Sequence, residues 1–211
     1  MKYRLVCFSL GGTLVDLETN VYEIIYNFLN INDEERMNSN EDFFNERISY
    51  NEWFEKDVNK WHKAGATKDL LLEAIKDVNP REGALETIQK LKNNGLKILI
   101  LSDGLDILIK KAFGIHQSLF DEVFINKLFF GEGGSIVGGK ATPYPLKNKV
   151  EGLKEFAQKY HIDISKCVFI GNDKEDVTSA RIAGLSMAFN SKSEALNQVS
   201  DIVIESNDIK E

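Results

Sequence analysis

The amino-acid sequence predicts an α/β protein with a mostly parallel sheet and one helical insertion. Three observations carry that reading. Short, continuously apolar runs recur along the chain, helical patterns separate most of them, and no strand is evident from about residue 16 to 79. Strands that alternate with helices imply βαβ units and parallel pairing.

The first run, Arg4-Leu5-Val6-Cys7-Phe8, ends near Gly11-Gly12 and reads as a strand buried on both faces. Further strands are expected at 97–101, 123–125, 167–170, 186–189 and 202–204. Between the first two, Val21, Ile24, Ile25 and Phe28 form one helical stripe, and Trp53, Phe54, Val58 and Trp61 another. Leu70, Leu71, Leu72, Ile75 and Val78 form a third apolar group. Asn79-Pro80-Arg81-Glu82 reads as a helix start, with Asn79 as the cap and Pro80 in the first turn. Leu146 to Tyr160 and Val177 to Ala183 carry helical spacing. Residues 127–139, with Gly131-Glu132-Gly133-Gly134 in the middle, predict a β-hairpin.

A length of 211 residues suits one domain, or one domain with a modest insertion. The hydrophobic fraction of 43% and charged fraction of 28% fit a globular chain and exclude a disordered one. Three prolines and 15 glycines exclude a collagen-like or Pro/Gly-rich chain. The net charge of −7 argues against nucleic-acid binding through a basic surface. No run approaches the roughly 18–20 apolar residues of a membrane helix, so no membrane partner is expected. The first residues lack the apolar stretch of a secretory signal. Cys7 and Cys167 lie in apolar runs and read as buried reduced thiols of a cytoplasmic protein.

Four short elements fall at the expected carboxyl ends of strands, where open parallel sheets bind ligands. They are Ser9-Leu10-Gly11-Gly12-Thr13-Leu14, then Ser102, then Lys149 at a helix start, then Gly171-Asn172-Asp173-Lys174-Glu175-Asp176. Each has a plain structural reading beside the functional one. Gly11-Gly12 suits a strand-ending turn, Ser102 a helix cap, Lys149 a solvated lysine in competition with Lys147, and the acids 173–176 a helix start. Trp53, Phe54 and Trp61 read as core of the insertion, and His62, His116 and His161 as surface residues.

The order of the four elements resembles the haloacid dehalogenase superfamily of phosphohydrolases, and within it the phosphoserine-phosphatase-like branch. The resemblance implies a Rossmann-like doubly wound sheet formed by 1–15 and 80–211, with residues 16–79 as a helical cap after the first strand. It places Ser9 at the position of the family's nucleophilic Asp and Gly11 at that of the acid/base Asp. Thr13, Ser102 and Lys149 match phosphate-binding positions. Asn172, Asp173 and Asp176 match a Mg²⁺ site, here weakened. Glu18 falls where relatives contact a substrate amine, and Asp57 where they carry an arginine for a substrate carboxylate.

Serine needs a base before it can attack, and glycine has no proton to give. The expected function is therefore binding of inorganic phosphate or a phosphorylated metabolite with little or no phosphomonoesterase activity. An active Mg²⁺-dependent phosphohydrolase, in which Ser9 or a water held by Asp173 and Asp176 attacks, remains open. So does a purely structural or interaction role.

Overall fold

The computed structural model describes residues 2–210. Its strands form one seven-stranded sheet in the order β4-β3-β2-β1-β5-β6-β7. They are β1 (Leu5–Phe8), β2 (Lys97–Leu105), β3 (Glu122–Phe130), β4 (Ile136–Lys140), β5 (Cys167–Gly171), β6 (Leu185–Phe189) and β7 (Ile202–Ile204). β1 lies in the middle, parallel to β2 on one side and β5 on the other. Only β4 runs antiparallel, as the far arm of the hairpin with β3. The predicted strand at 123–125 and the first arm of the hairpin are one continuous strand, β3.

Side chains alternate across β1, and the packing follows. Val6 and Phe8 join the larger apolar cluster, which continues into the cap through Ile25, Phe54 and Trp61. Leu5 and Cys7 join the cluster on the opposite face, with Leu99, Phe156 and Phe169. Both cysteines are free and buried. Burial pushes the Cys7 thiol well up, and raises Cys167 to about 11. No helix among the described residues is long and apolar enough to cross a membrane.

The insertion after β1 contains α1 (Val21–Phe28), α2 (Asp33–Phe44), α3 (Tyr50–Lys63) and α4 (Lys68–Ala74). Local signals start these helices. The Asn20 side chain accepts from the Tyr22 amide, Ser49 and Glu52 form a capping box, and the Thr67 hydroxyl accepts from the Leu70 amide. The core helices are α5 (Ala84–Asn93), α6 (Asp106–Phe113), α7 (Lys149–Lys159), α8 (Val177–Ile182) and α9 (Glu194–Val199).

The helix start expected at Asn79 lies further on. α5 begins after Gly83, whose φ of 72° is left-handed. The Asn79 amide instead donates to the Asp77 carbonyl, and Pro80 bridges to Val15. Residues 79–82 are tied to the loop after β1: the Arg81 amide donates to the Leu14 carbonyl at 2.8 Å. Capping chemistry at Asn79 loses to that tertiary docking.

Candidate functional site

The carboxyl ends of β1, β2 and β5 meet at a crevice of about 200 Å³. Its walls include Ser9, Gly11, Ser102, Lys149 and Asn172, so these residues singled out in the sequence do converge. Glu18 and Asp173 also line it.

The loop after β1 is held from behind. Arg81 is buried, and its guanidinium donates to the Thr13 carbonyl at 3.0 Å and the Gly12 carbonyl at 3.1 Å, while pairing with Asp16 at 2.8 Å. Gly12 has a φ of 78°, and a Cβ there would lie 2.0 Å from the Asn172 amide nitrogen. Glycine is required at that position. Gly11 is different: its φ is not left-handed, and a Cβ would meet only the tip of Leu17 at 3.1 Å. The backbone therefore leaves room for a side chain at 11, and the plain turn reading applies to Gly12 alone.

Lys149 opens α7 and is almost fully buried. Its ammonium donates to Asp176 Oδ1 at 2.9 Å and lies 3.7 Å from Asp103. Burial works to lower the Lys149 pKa, but the Asp176 and Asp103 carboxylates outweigh it and hold the ammonium above its ordinary value. The lysine is charged and aimed at the crevice, so the solvated reading fails.

Two expected site residues lie elsewhere. Thr13 is fully buried outside the crevice wall, and its hydroxyl donates to Asn172 Oδ1 at 3.2 Å. It orients Asn172 from behind. Asp176 is also fully buried: Oδ1 takes the lysine, and Oδ2 accepts from the Asn172 amide at 3.0 Å and the Asp173 amide at 3.3 Å. With its oxygens committed, Asp176 braces the loop after β5. Gly171 makes room for it, since a Cβ there would sit 2.3 Å from Asp176 Oδ2.

Magnesium needs near-octahedral oxygen ligation, strengthened by carboxylates. Among the described residues no three His, Cys, Asp or Glu side chains are grouped to hold a metal ion. Asn172 offers a neutral amide oxygen already taken by Thr13. The donor set therefore does not fit a ready magnesium site.

Asp103 and Asn126 were not singled out in the sequence. Asp103 follows Ser102 directly and puts a carboxylate into the crevice. That position beside Ser102 was the available signal. The Asn126 amide nitrogen, fully buried, sits 2.7 Å from the Asp103 carbonyl and 2.8 Å from the Tyr22 and Tyr50 hydroxyls. The Thr142 amide donates to its oxygen at 2.7 Å. One core asparagine thus ties α1 and α3 of the cap to the Ser102 loop.

Above the crevice, the cap closes a second cavity of about 220 Å³. Tyr22, Phe44, Tyr50, Trp53, Phe54 and Asp57 form its cap side. Trp61 and Phe54 are core as expected, and Phe54 and the half-buried Trp53 also line this cavity. Asp57 is buried and accepts from the Tyr26 hydroxyl at 2.6 Å. Asp57 and Glu18 therefore line different chambers.

The family model of the haloacid dehalogenase-like hydrolases matches residues 3–184. The chain belongs to that family. The phosphoserine phosphatase of Methanocaldococcus jannaschii is 34% identical over 165 residues, which is 75% of this chain and 74% of that one. A solved substrate-bound phosphoserine phosphatase complex superposes with a TM-score of 0.75 at 27% identity, covering 100% of this chain and 96% of the other. A phospho-aspartyl intermediate analogue of phosphoserine phosphatase gives 0.74, with 100% and 97% covered. The haloacid dehalogenase-like α/β fold and its phosphoserine-phosphatase-like branch, with the helical insertion after β1, agree with the resemblance drawn from the sequence.

Proposed function

We propose that this haloacid dehalogenase-like chain binds a small phosphorylated metabolite and hydrolyses it slowly or not at all. The observation that carries the reading is the end of β1. Ser9 and Gly11 stand at the crevice wall beside Ser102 and Lys149, and neither supplies a carboxylate. Glycine at 11 is not imposed by the backbone, so the missing side chain is a chemical difference and not a folding requirement.

The Ser9 and Ser102 hydroxyls and the Lys149 ammonium are suitable donors for a phosphoryl group. Covalent transfer would need a base for Ser9, and among the described residues no histidine lines the crevice. General acid–base help is worth about 10²–10⁴-fold, and Gly11 offers none. Asp57 in the cap cavity disfavours a ligand carboxylate, so phosphoserine fits poorly despite the names of the relatives.

A second reading rests on Asp103. Its carboxylate lines the crevice and could orient an attacking water in an altered hydrolase. A water held by Asp173 together with Asp176 is less suitable, because Asp176 is buried and committed.

An aryl phosphate assay with Mg²⁺ separates the two. The native chain is expected to match the enzyme-free rate, and the Ser9→Asp/Gly11→Asp variant to gain turnover. Brisk magnesium-dependent turnover by the native chain would overturn the proposal in favour of the altered hydrolase.

A further inference from the structure

The two faces of the sheet are covered unequally. On one face α7 packs on β2, α8 on β5 and β6, and α9 on β6. The side chains of β5 and β6 that point that way, Cys167, Phe169, Ser186 and Ala188, are buried almost completely. On the other face α5 packs on β2, and α6 on β2 and β3. There Ile170, Leu185, Met187 and Ile204, from β5, β6 and β7, stay half-buried. Together with Leu91 of α5 they line an open groove of about 550 Å³. Ile202 pairs with Met187 and so shares that face, where it is 41% exposed.

The groove has room for one more helix. Neighbouring strands lie about 4.8 Å apart, so β5 to β7 spans about 10 Å, the width of a helix. A helix of about 12 residues is about 18 Å long, close to the roughly 17 Å of a five-residue strand such as β6. Packed helices are what such sheets carry on both faces.

The charge around the groove is opposite to that of the chain. The whole protein carries −7. The charged side chains of the groove are Lys2, Lys90 and Lys210, and among the described residues no carboxylate lines it. Lys210 is held by Glu86 at 3.2 Å and Asp208 at 3.3 Å, which leaves the exposed Lys2 and Lys90 to meet a partner. A second copy docked symmetrically through this face would set the lysines against their own kind, which disfavours a dimer here.

We propose that this groove docks an amphipathic helix of a partner protein, with its apolar stripe on β5–β7 and acidic residues beside Lys2 and Lys90. Apolar residues at i, i+3, i+4 and i+7 would fill the groove, as in other helix-in-groove complexes, and the flanking acids would select the partner. None of the groove residues lines the crevice, so the proposal stands apart from the phosphate-binding reading.

Calorimetry on the full chain with two synthetic helices tests this. Both are about 14 residues long, four turns, with leucine at i, i+3, i+4 and i+7. One carries glutamate beside the stripe and the other lysine. The glutamate helix is expected to bind at least about tenfold tighter at low salt, a difference of about 1.4 kcal/mol. The margin should shrink as salt rises. Met187→Glu in the groove floor should abolish binding. Lys90→Glu, on the exposed rim and clear of the core, should cut the preference for the glutamate helix by at least about threefold. Equal affinities, binding of neither helix, or a preference unchanged in both variants, each shown folded by circular dichroism, would overturn the proposal. So would a dimer in sedimentation velocity that Met187→Glu dissolves, because the groove would then serve a second copy. Binding of dodecanoate but of neither helix would make it a site for acyl chains instead.

Discussion

Gly11 and Gly12 are adjacent, and different physics governs each. Gly12 occupies left-handed backbone and lies against Asn172, while Gly11 needs neither the conformation nor the space. Gly12→Ala is expected to cost about 1–3 kcal/mol through strain and displacement of Asn172. Gly11→Ala should change stability by less than about 1 kcal/mol in either direction. Urea unfolding of both variants checks the contrast, and equal losses would contradict it. The same contrast is the ground for expecting the Gly11→Asp variant to fold, with the tip of Leu17 giving way slightly to the new Cβ. It also explains a limit of the sequence: a Gly-Gly pair states that a turn is near, but not which glycine the turn requires. Similar limits hold for Thr13 and Asp176. Their types suited a ligand site, yet depth decides what they do, and both are spent on bracing Asn172 and Lys149.

At the scale of elements, the cap is held to the core through a hydrogen-bond cluster centred on Asn126, at the middle of β3. Tyr22 comes from α1, Tyr50 from α3, and the Asp103 carbonyl from the end of β2. Burial pushes the Tyr22 hydroxyl well above its ordinary value, so it stays a neutral donor and acceptor there. Asn126→Ala would leave the Thr142 amide and the tyrosine hydroxyls short of a partner, at a cost of about 1–3 kcal/mol. The loss should be local in its dynamics as well. Hydrogen exchange is expected to speed up in α1 and α3 more than in β1 and β5, and uniform acceleration would argue against a cap-docking role. Nothing in the sequence marked Asn126, because its partners lie 16 to 104 residues away in the chain. β1, β2 and β5 were legible as apolar runs because burial on both faces leaves that trace directly, while β7 shows the same run at the exposed edge. α1, α3 and α4 of the cap were legible from their apolar groups, whereas α2 was not, because its sequence is mostly polar and carries no stripe. The cap cavity was not, because an aromatic residue at helical spacing looks the same whether it fills a core or faces a chamber.

Across the whole molecule, the crevice depends on the sheet keeping β1 between β2 and β5, and the sheet's lower end is fastened by Asp121. That carboxylate accepts from the Lys92 ammonium of α5 at 2.7 Å, the Ile98 amide of β2 at 2.8 Å and the Lys97 ammonium at 2.9 Å. It sits just before β3, so one side chain joins α5, β2 and the start of β3. No sequence pattern ties Asp121 to Lys92 and Lys97, which lie 29 and 24 residues away in the chain. Burial pushes the Asp121 carboxyl up, but Lys92, the Ile98 amide and Lys97 together hold it below its usual value. A depressed carboxyl binds fewer protons folded than unfolded, so its contribution is present above the unfolded value of about 3.9 and is lost as pH falls through the folded one. Asp121→Asn keeps the shape but weakens the acceptors. It is expected to lower stability by about 1 kcal/mol at neutral pH, a modest figure because the lysines are partly solvated. The gap from the native chain should narrow as pH drops below about 4, where the native carboxylate itself takes up a proton. Chemical unfolding at pH 7 and at successively lower pH measures that gap, and a difference constant across the acid range would show that Asp121 acts through shape and not through charge.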